Sequence, residues 1–172
     1  KHKTLINPAT IFMMITAENT VEMVMGAMEY YPDGYLSKPF TKIEFAARLE
    51  KILQRKADLG EIEQALQRKD NIAAIQLCDE KLTTNPRNAL EILKIKGELC
   101  EKMGNFDDAT SIYEKVLSMR DVPWATLGIA RIRFQTKDFM IAKEMLQDLI
   151  DKNKSYVEAY DWLSKVYEAL GD

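Results

Sequence analysis

Two polar residues near the start of the chain are of types that could bind a ligand, and each follows a short apolar run. Thr16 follows residues 11–15, and Lys38 ends the run that begins at Gly34. The first run shows no alternation of polar and apolar residues, which is typical of a strand covered on both faces in a parallel sheet. Ligands of open parallel sheets bind at the carboxyl ends of the strands. A hydroxyl and an ammonium group at these ends are therefore candidate site residues.

The segments that would position these two residues follow the order strand, helix, strand, helix. Residues 19–30 carry apolar side chains at helical spacing and separate the strands predicted at 11–15 and 34–38. Thr41 and Glu44 have the spacing of a capping box, which predicts that the next helix begins at Thr41. This order predicts two parallel strands joined by a right-handed crossover.

These residues resemble the C-terminal half of a receiver domain, the phosphorylatable module of two-component response regulators. In that family the fourth strand ends in Thr or Ser followed by Ala, as at Thr16. The fifth strand carries an aromatic residue and then Lys-Pro-Phe, matched by Tyr35, Lys38 and Pro39. The resemblance implies that Lys38 contacts a phosphorylated aspartate, that Thr16 follows the phosphoryl group and that Tyr35 swings inward. It also implies a cis bond before Pro39.

The acidic residues with which a receiver holds Mg²⁺ and accepts phosphate belong to strands that would precede Lys1. We expect a piece of a longer protein in preference to a degenerate receiver. No cofactor is expected in this segment, and Mg²⁺ and a sensor histidine kinase are expected only with a complete receiver. Strand 11–15 would also have an unpaired apolar edge, which predicts a homodimer through the receiver half.

Composition narrows the class of protein. The chain has 172 residues, a net charge of −3 and no basic block, which argues against nucleic-acid binding. No apolar run approaches the roughly 18 residues of a membrane span. Cys78 and Cys100 lack C-x-x-C spacing, which favours a reducing, cytoplasmic setting. His2 is the single histidine and has no nucleophile beside it, so we do not expect an enzyme.

The second part of the chain repeats a pattern of about 34 residues. Turn dipeptides begin at Lys69, Gly104, Lys137 and Gly171, at spacings of 35, 33 and 34 residues. The period and the small residues at fixed offsets resemble tetratricopeptide repeats, which are pairs of antiparallel helices. We therefore predict a partial flavodoxin-like receiver of α/β class over residues 1–56. An all-α superhelix over residues 57–172, with three repeats and the first helix of a fourth, makes the chain mostly helical.

One repeat can be aligned in two ways. Trp124 begins a literal W-x-x-L-G signature, which would place Gly128 at the small position of the helix. The spacings from Gly97 and to Ser164 would then be 31 and 36 residues, whereas Ala130 gives 33 and 34. We prefer the periodic alignment, in which Trp124 lies on the inner face and not in the core.

Repeats of this type present the inner faces of their first helices as a concave binding surface. The residues expected on it are Lys94, Glu98, Glu101, Trp124, Leu127, Arg131, Phe134, Asp161, Lys165 and Glu168. An apolar strip between charged flanks would suit an extended peptide or a partner helix with one or two apolar anchors. The alternative is that Trp124 and Phe134 pack against a following repeat or against a receiver surface.

The helical pattern continues through Gly60 without a linker, so we expect a stiff connection between the two parts. The predicted function is that of a response regulator whose receiver is coupled to a tetratricopeptide module that binds proteins. The alternative is a constitutive adaptor or scaffold whose receiver remnant cannot be phosphorylated.

Overall fold

The computed structural model describes residues 10–17, 32–84 and 88–171. The chain divides into two compact units, Lys1–Gln64 and Ala65–Asp172. The helix predicted at residues 19–30 and the crossover it would form lie outside the described residues, as does His2.

The first unit contains a pair of short parallel strands. Strands β1 (Met13–Thr16) and β2 (Gly34–Ser37) pair with Thr16 opposite Ser37. Parallel pairing agrees with the prediction, but β1 begins two residues later than expected. The expectation of a strand covered on both faces is wrong, because Phe12 and Ile15 are 47% and 40% exposed. Two strands of four residues each do not establish a receiver fold.

Helix α1 (Lys42–Gln67) begins at the predicted capping box. The Thr41 backbone N–H donates to Glu44 Oε2 at 2.7 Å, and the Glu44 N–H donates to Thr41 Oγ1 at 3.2 Å. These reciprocal bonds satisfy two donors that a helix start leaves without intrahelical partners. The backbone hydrogen bond from Thr41 also lowers the pKa of the Glu44 carboxyl. The helix then passes Gly60 without interruption, as its pattern predicts.

The second unit consists of consecutive helices of similar length joined by short turns. They are α2 (Asn71–Thr84), α3 (Ala89–Lys102), α4 (Phe106–Met119), α5 (Pro123–Gln135), α6 (Phe139–Lys152) and α7 (Val157–Leu170). Each helix from α3 onward packs on its predecessor, and α5 also contacts α3 and α7. This arrangement of helix pairs is the one the repeat period predicts.

The four turn dipeptides that the spacing identifies share one backbone geometry. Lys69, Gly104, Lys137 and Gly171 have φ values of 59°, 80°, 68° and 81°. At three of these turns the next residue donates its N–H to a carbonyl five residues earlier, at 2.8 to 3.0 Å, for example Asp138 to Arg133. This is the Schellman arrangement that ends helices. The four turn dipeptides therefore mark equivalent points of the repeat.

Small residues are buried where the helices approach each other. Ala109 and Ala142, at equivalent positions of α4 and α6, are fully buried. Ala130 is also fully buried and belongs to the same apolar cluster as Ala142 and Leu146. Ala130 thus packs within its own repeat as Gly97 does in the preceding one, which agrees with the periodic alignment.

Candidate protein-binding surface

The structure brings the two strand-end residues together. The Lys38 backbone N–H donates to the Thr16 carbonyl at 2.7 Å, and the bond between Lys38 and Pro39 is cis. The carbonyl of Tyr35 accepts hydrogen bonds from the Arg48 guanidinium at 3.3 and 3.4 Å. Within the described ranges, no group of three or more His, Cys, Asp or Glu side chains could hold a metal ion.

A second candidate surface is formed by the first helix of successive repeats. Helix α5 lies beside both α3 and α7, so residues on one side of these three helices share a surface. We call this surface the α3–α5–α7 face. The half-buried or exposed residues that define it are Lys94, Glu98, Trp124, Arg131, Phe134, Glu158, Asp161, Lys165 and Glu168.

A hydrogen-bonded network lies beneath the middle of this face. The Glu101 carboxylate accepts from Arg131 Nε at 3.0 Å and from Arg131 Nη2 at 2.8 Å. It also accepts from the Tyr113 hydroxyl at 3.1 Å and from Gln135 Nε2 at 3.0 Å. Bidentate pairing of this kind fixes geometry as well as charge. The network therefore ties α3, α4 and α5 together.

The burial of this network changes the ionisation of its members. Burial, and then the nearby Glu101 charge, raises the pKa of the Tyr113 hydroxyl, which therefore remains a hydrogen-bond donor. Burial acts to lower the pKa of Arg131, but the hydrogen bond and charge attraction of Glu101 outweigh it and raise that pKa. Arg131 and Glu101 thus form a charged pair whose net charge is zero.

Two of the residues predicted for the surface are buried instead. Leu127 is 1% exposed and Glu101 is 9% exposed. Leu127 belongs to the apolar core of its own repeat, and Glu101 is covered by the side chains that hydrogen-bond to it. Neither side chain is accessible to a partner, so the prediction that Leu127 and Glu101 line the binding surface is wrong.

The aromatic residues of the predicted apolar strip, Trp124 and Phe134, pack against other aromatic side chains of the chain. The Trp124 ring stands edge-on to the Tyr113 ring, at 6.1 Å between centroids. The Phe134 ring packs on Phe139 and Trp162, at 5.3 and 5.6 Å. These contacts favour the alternative in which the two aromatic residues stabilise neighbouring repeats. The accessible part of the face is consequently more polar than expected.

Charged side chains of the face lie against aromatic rings. Lys94 Nζ is 5.8 Å from the centre of the Trp124 ring, and Lys165 Nζ is 4.0 Å from the Trp162 ring. Lys94 also lies 3.9 Å from a Glu98 oxygen, with both side chains about half exposed. Asp161 and Glu168 are exposed on α7.

Tyr156, in the segment just before α7, also contributes to the α3–α5–α7 face, although the sequence analysis did not predict it. The Tyr156 hydroxyl donates to Glu158 Oε2 at 3.3 Å. Burial, followed by the Glu158 charge, raises the pKa of Tyr156 to about 12, and both Arg131 and Glu98 act on it electrostatically. Tyr156 precedes the helix, so no helical spacing could have assigned it to this face.

Comparison with known proteins supports the repeat fold. No family model and no curated protein matches the chain. Among solved structures, MamA protein is 23% identical with a TM-score of 0.55, covering 67% of this chain and 63% of that one. A tetratricopeptide repeat protein from Parabacteroides merdae is 17% identical with a TM-score of 0.58, covering 67% and 46%. The tetratricopeptide domain of P58(IPK) is 18% identical with a TM-score of 0.55, covering 77% and 37%.

These similarities show that the helical repeats have a fold like that of tetratricopeptide proteins. The chain spans less than two thirds of the length of each of these structures. They give no support to a receiver domain in residues 1–56. In the part of the chain that the structure describes, none of the helices combines the length and apolar character needed to cross a membrane.

Proposed function

We propose that this chain is a protein-binding adaptor whose partner docks on the α3–α5–α7 face. The observation that carries the proposal is the arrangement around Arg131. Glu98 and Glu158 are exposed on the same face as Arg131, whose hydrogen bonds to Glu101 are already formed within the chain. Similarity to tetratricopeptide proteins supports a binding role, because repeats of this kind use extended concave surfaces.

The Glu101–Arg131 pair gives this face a fixed geometry before any partner arrives. Arg131 is held by two hydrogen bonds, and Glu101 is further anchored by Tyr113 and Gln135. A surface whose side chains are already ordered loses less conformational entropy on binding. We therefore assign the pair a supporting role and the exposed residues around it the contact with a partner.

Site-specific photo-cross-linking tests the proposal. A photoreactive amino acid is placed at position 98, 158 or 161 on the face, or at the exposed control positions Glu144 and Asp148 of α6. In cells that express the natural protein, the three face positions should cross-link to one common partner and the controls should not. Cross-links that form equally from α6, or from neither surface, would contradict the adaptor proposal.

A response-regulator role is the second candidate, and one observation favours it. Lys38 and Thr16 lie together at the carboxyl ends of two parallel strands. This role would bring with it a sensor histidine kinase, Mg²⁺ and a homodimer through the receiver half. The intact mass of the full-length natural protein, treated with acetyl phosphate and Mg²⁺, should then show one phosphoryl adduct. An unchanged mass would leave the constitutive adaptor.

We also propose a reducing, cytoplasmic setting. Cys78 and Cys100 are both buried free thiols. Burial is the main cause that raises the pKa of Cys78 to about 11, so little reactive thiolate forms at neutral pH. Alkylation of the native protein from cells after denaturation should find both thiols reduced. A disulfide at either residue would contradict this setting.

A further inference from the structure

We propose that the partner segment on the α3–α5–α7 face is basic, with an arginine or lysine side chain placed between Glu98 and Glu158. This inference rests on the proposed function and adds the chemical class of the partner. An extended segment fits the three helices better than a single charged molecule, because the face runs across α3, α5 and α7.

The charged groups of the face favour a basic partner. Arg131 is paired with Glu101 through two hydrogen bonds of 2.8 and 3.0 Å. Glu101 therefore offsets part of the positive field of Arg131, and Glu98 ranks behind Glu101 and Tyr113 among the groups that raise the Arg131 pKa. Glu98 also lies 3.9 Å from Lys94, and both side chains are about half exposed. Exposed pairs at this spacing are weak, so Glu98 can exchange Lys94 for a cation of a partner.

The Tyr156 hydroxyl donates a hydrogen bond to Glu158 at 3.3 Å and therefore lies in the field of that carboxylate. Its pKa is raised mainly by burial and next by Glu158, and Glu98 acts in the same direction. Arg131 opposes them without reversing the shift. Burial disfavours a charge of either sign there, but the contributions of Glu158 and Glu98 disfavour only a negative charge, so a partner cation that keeps contact with water would be attracted to these two carboxylates.

The Trp124 ring supplies a place for the cation's apolar surface. Lys94 lies 5.8 Å from the ring centre, near the outer limit of a cation–π contact. A guanidinium stacks on an indole face more effectively than an ammonium group does. We infer that a partner arginine displaces Lys94 from Trp124 and is held by Glu98. A glutamate-rich segment would instead meet two carboxylates of like charge.

The test uses three fluorescein-labelled octapeptides in which alanine alternates with arginine, glutamine or glutamate. Anisotropy titrations of the chain should show the arginine peptide binding at least about tenfold more tightly than the glutamate peptide, with the preference weakening in about 0.5 M NaCl. The double substitution Glu98→Lys with Glu158→Lys should weaken arginine-peptide binding by about tenfold or more.

The matched control is Glu144→Lys with Asp148→Lys, which changes net charge equally on exposed positions of α6. It should weaken binding by less than about threefold, because salt screens distant charges. Circular dichroism confirms that each variant is folded, and Glu98→Gln with Glu158→Gln replaces the lysine pair if that pair does not fold.

Several outcomes would overturn the inference. They are equal loss of binding in the control, equal affinity for the glutamate peptide, or no binding of the arginine peptide at millimolar concentration. Each leaves the adaptor proposal standing if positions 98 and 158 still cross-link to one partner. Absence of that cross-link overturns the adaptor proposal itself, so the two failures are distinguishable.

Discussion

Two junctions between successive repeats use equivalent positions with opposite choices of residue size. At the first, the Tyr113 ring of α4 lies between Gly97 of α3 and Gly128 of α5. A Cβ atom at Gly97 or Gly128 would come within 2.5 or 2.4 Å of that ring. At the second, Leu146 of α6 takes the place of the tyrosine. Ala130 lies at the position equivalent to Gly97, and the large Trp162 lies at the position equivalent to Gly128. Both belong to the same apolar cluster as Leu146.

The two junctions also differ at the positions that carry polar residues in the first one. Glu101, which is buried, and Arg131, which is partly buried, form an ion pair at the first junction. At the second, the residues 33 and 34 positions later are Phe134 and Lys165. The Phe134 ring stands edge-on to the Trp162 ring, at 5.6 Å between centroids, and Lys165 Nζ lies 4.0 Å from the centre of the Trp162 ring. An ion pair at one junction is thus replaced by an aromatic cluster with a cation on it at the next.

The comparison teaches that a conserved backbone repeat does not require a conserved packing solution. The large aromatic residue moves from α4 at the first junction to α7 at the second, where Leu146 and Ala130 complete the cluster. The polar solution remains next to the surface, so the first junction also shapes the α3–α5–α7 face. The second junction is expected to contribute mainly stability.

The largest expected effect comes from emptying the first junction. Tyr113→Ala should lower the free energy of unfolding by about 4 kcal/mol, because two glycines cannot fill the cavity. Leu146→Ala at the second junction should cost about 3 kcal/mol, since the larger Trp162 lines that site. Urea denaturation of both variants measures the difference. A smaller loss for Tyr113→Ala than for Leu146→Ala would break the comparison.

Next in size is the loss of the ion pair. Glu101→Ala should cost about 3 kcal/mol, because it leaves the Arg131 charge buried without its partner. Glu98→Ala, which removes an exposed carboxylate of the same helix, should cost less than about 1 kcal/mol. Replacing both Glu101 and Arg131 by Met should cost less than the sum of the two single Met substitutions. Additive losses in urea denaturation would argue that the two residues act separately.

A smaller effect is expected from overfilling the first junction. Gly128→Ala should lower the free energy of unfolding by about 2 kcal/mol, because the buried Tyr113 ring has no room to move. Gly60→Ala is the matched control, since no atom lies within 4 Å of the Cβ position there. It should raise helix stability by about 1 kcal/mol. Adding Tyr113→Leu to Gly128→Ala should restore part of the lost stability, and failure of that rescue would argue against the clash with the Tyr113 ring as its cause.

The smallest effect is a pH dependence near the second junction. Burial raises the pKa of Tyr156 to about 12, whereas a tyrosine in the unfolded chain titrates near 10. The unfolded chain therefore loses its proton first, and stability that is complete below pH 10 falls as the pH rises towards 12. Unfolding free energies between about pH 9 and about pH 11 should fall more steeply for the native chain than for Tyr156→Phe. Parallel curves would contradict the assignment.

Sequence periodicity predicted much of the fold but less of the site. The turns at Gly104 and Lys137 and the buried Ala109 follow from spacing alone, because a 34-residue period fixes which helix faces meet. Burial of Leu127 does not follow from spacing, since it depends on how closely adjacent helices pack.

The Glu101–Arg131 pair shows the same limit for polar residues. Both were predicted for the face, but their pairing depends on which rotamers meet across two helices separated by an entire helix of sequence. Tyr156 lies in a turn, outside any helical period. The strand pair at Thr16 and Lys38 was predicted from motif and order, whereas a receiver domain remains without support from known structures.

Binding to the α3–α5–α7 face is tested most directly by titrating the ¹⁵N-labelled chain with the arginine octapeptide while amide chemical shifts are recorded. We expect the amide signals of Glu98, Arg131 and Glu158 to shift, and those of Glu144 and Asp148 of α6 to stay unchanged. Shifts centred on α4 and α6, or on no part of the repeats, would contradict the claim that the α3–α5–α7 face binds the partner.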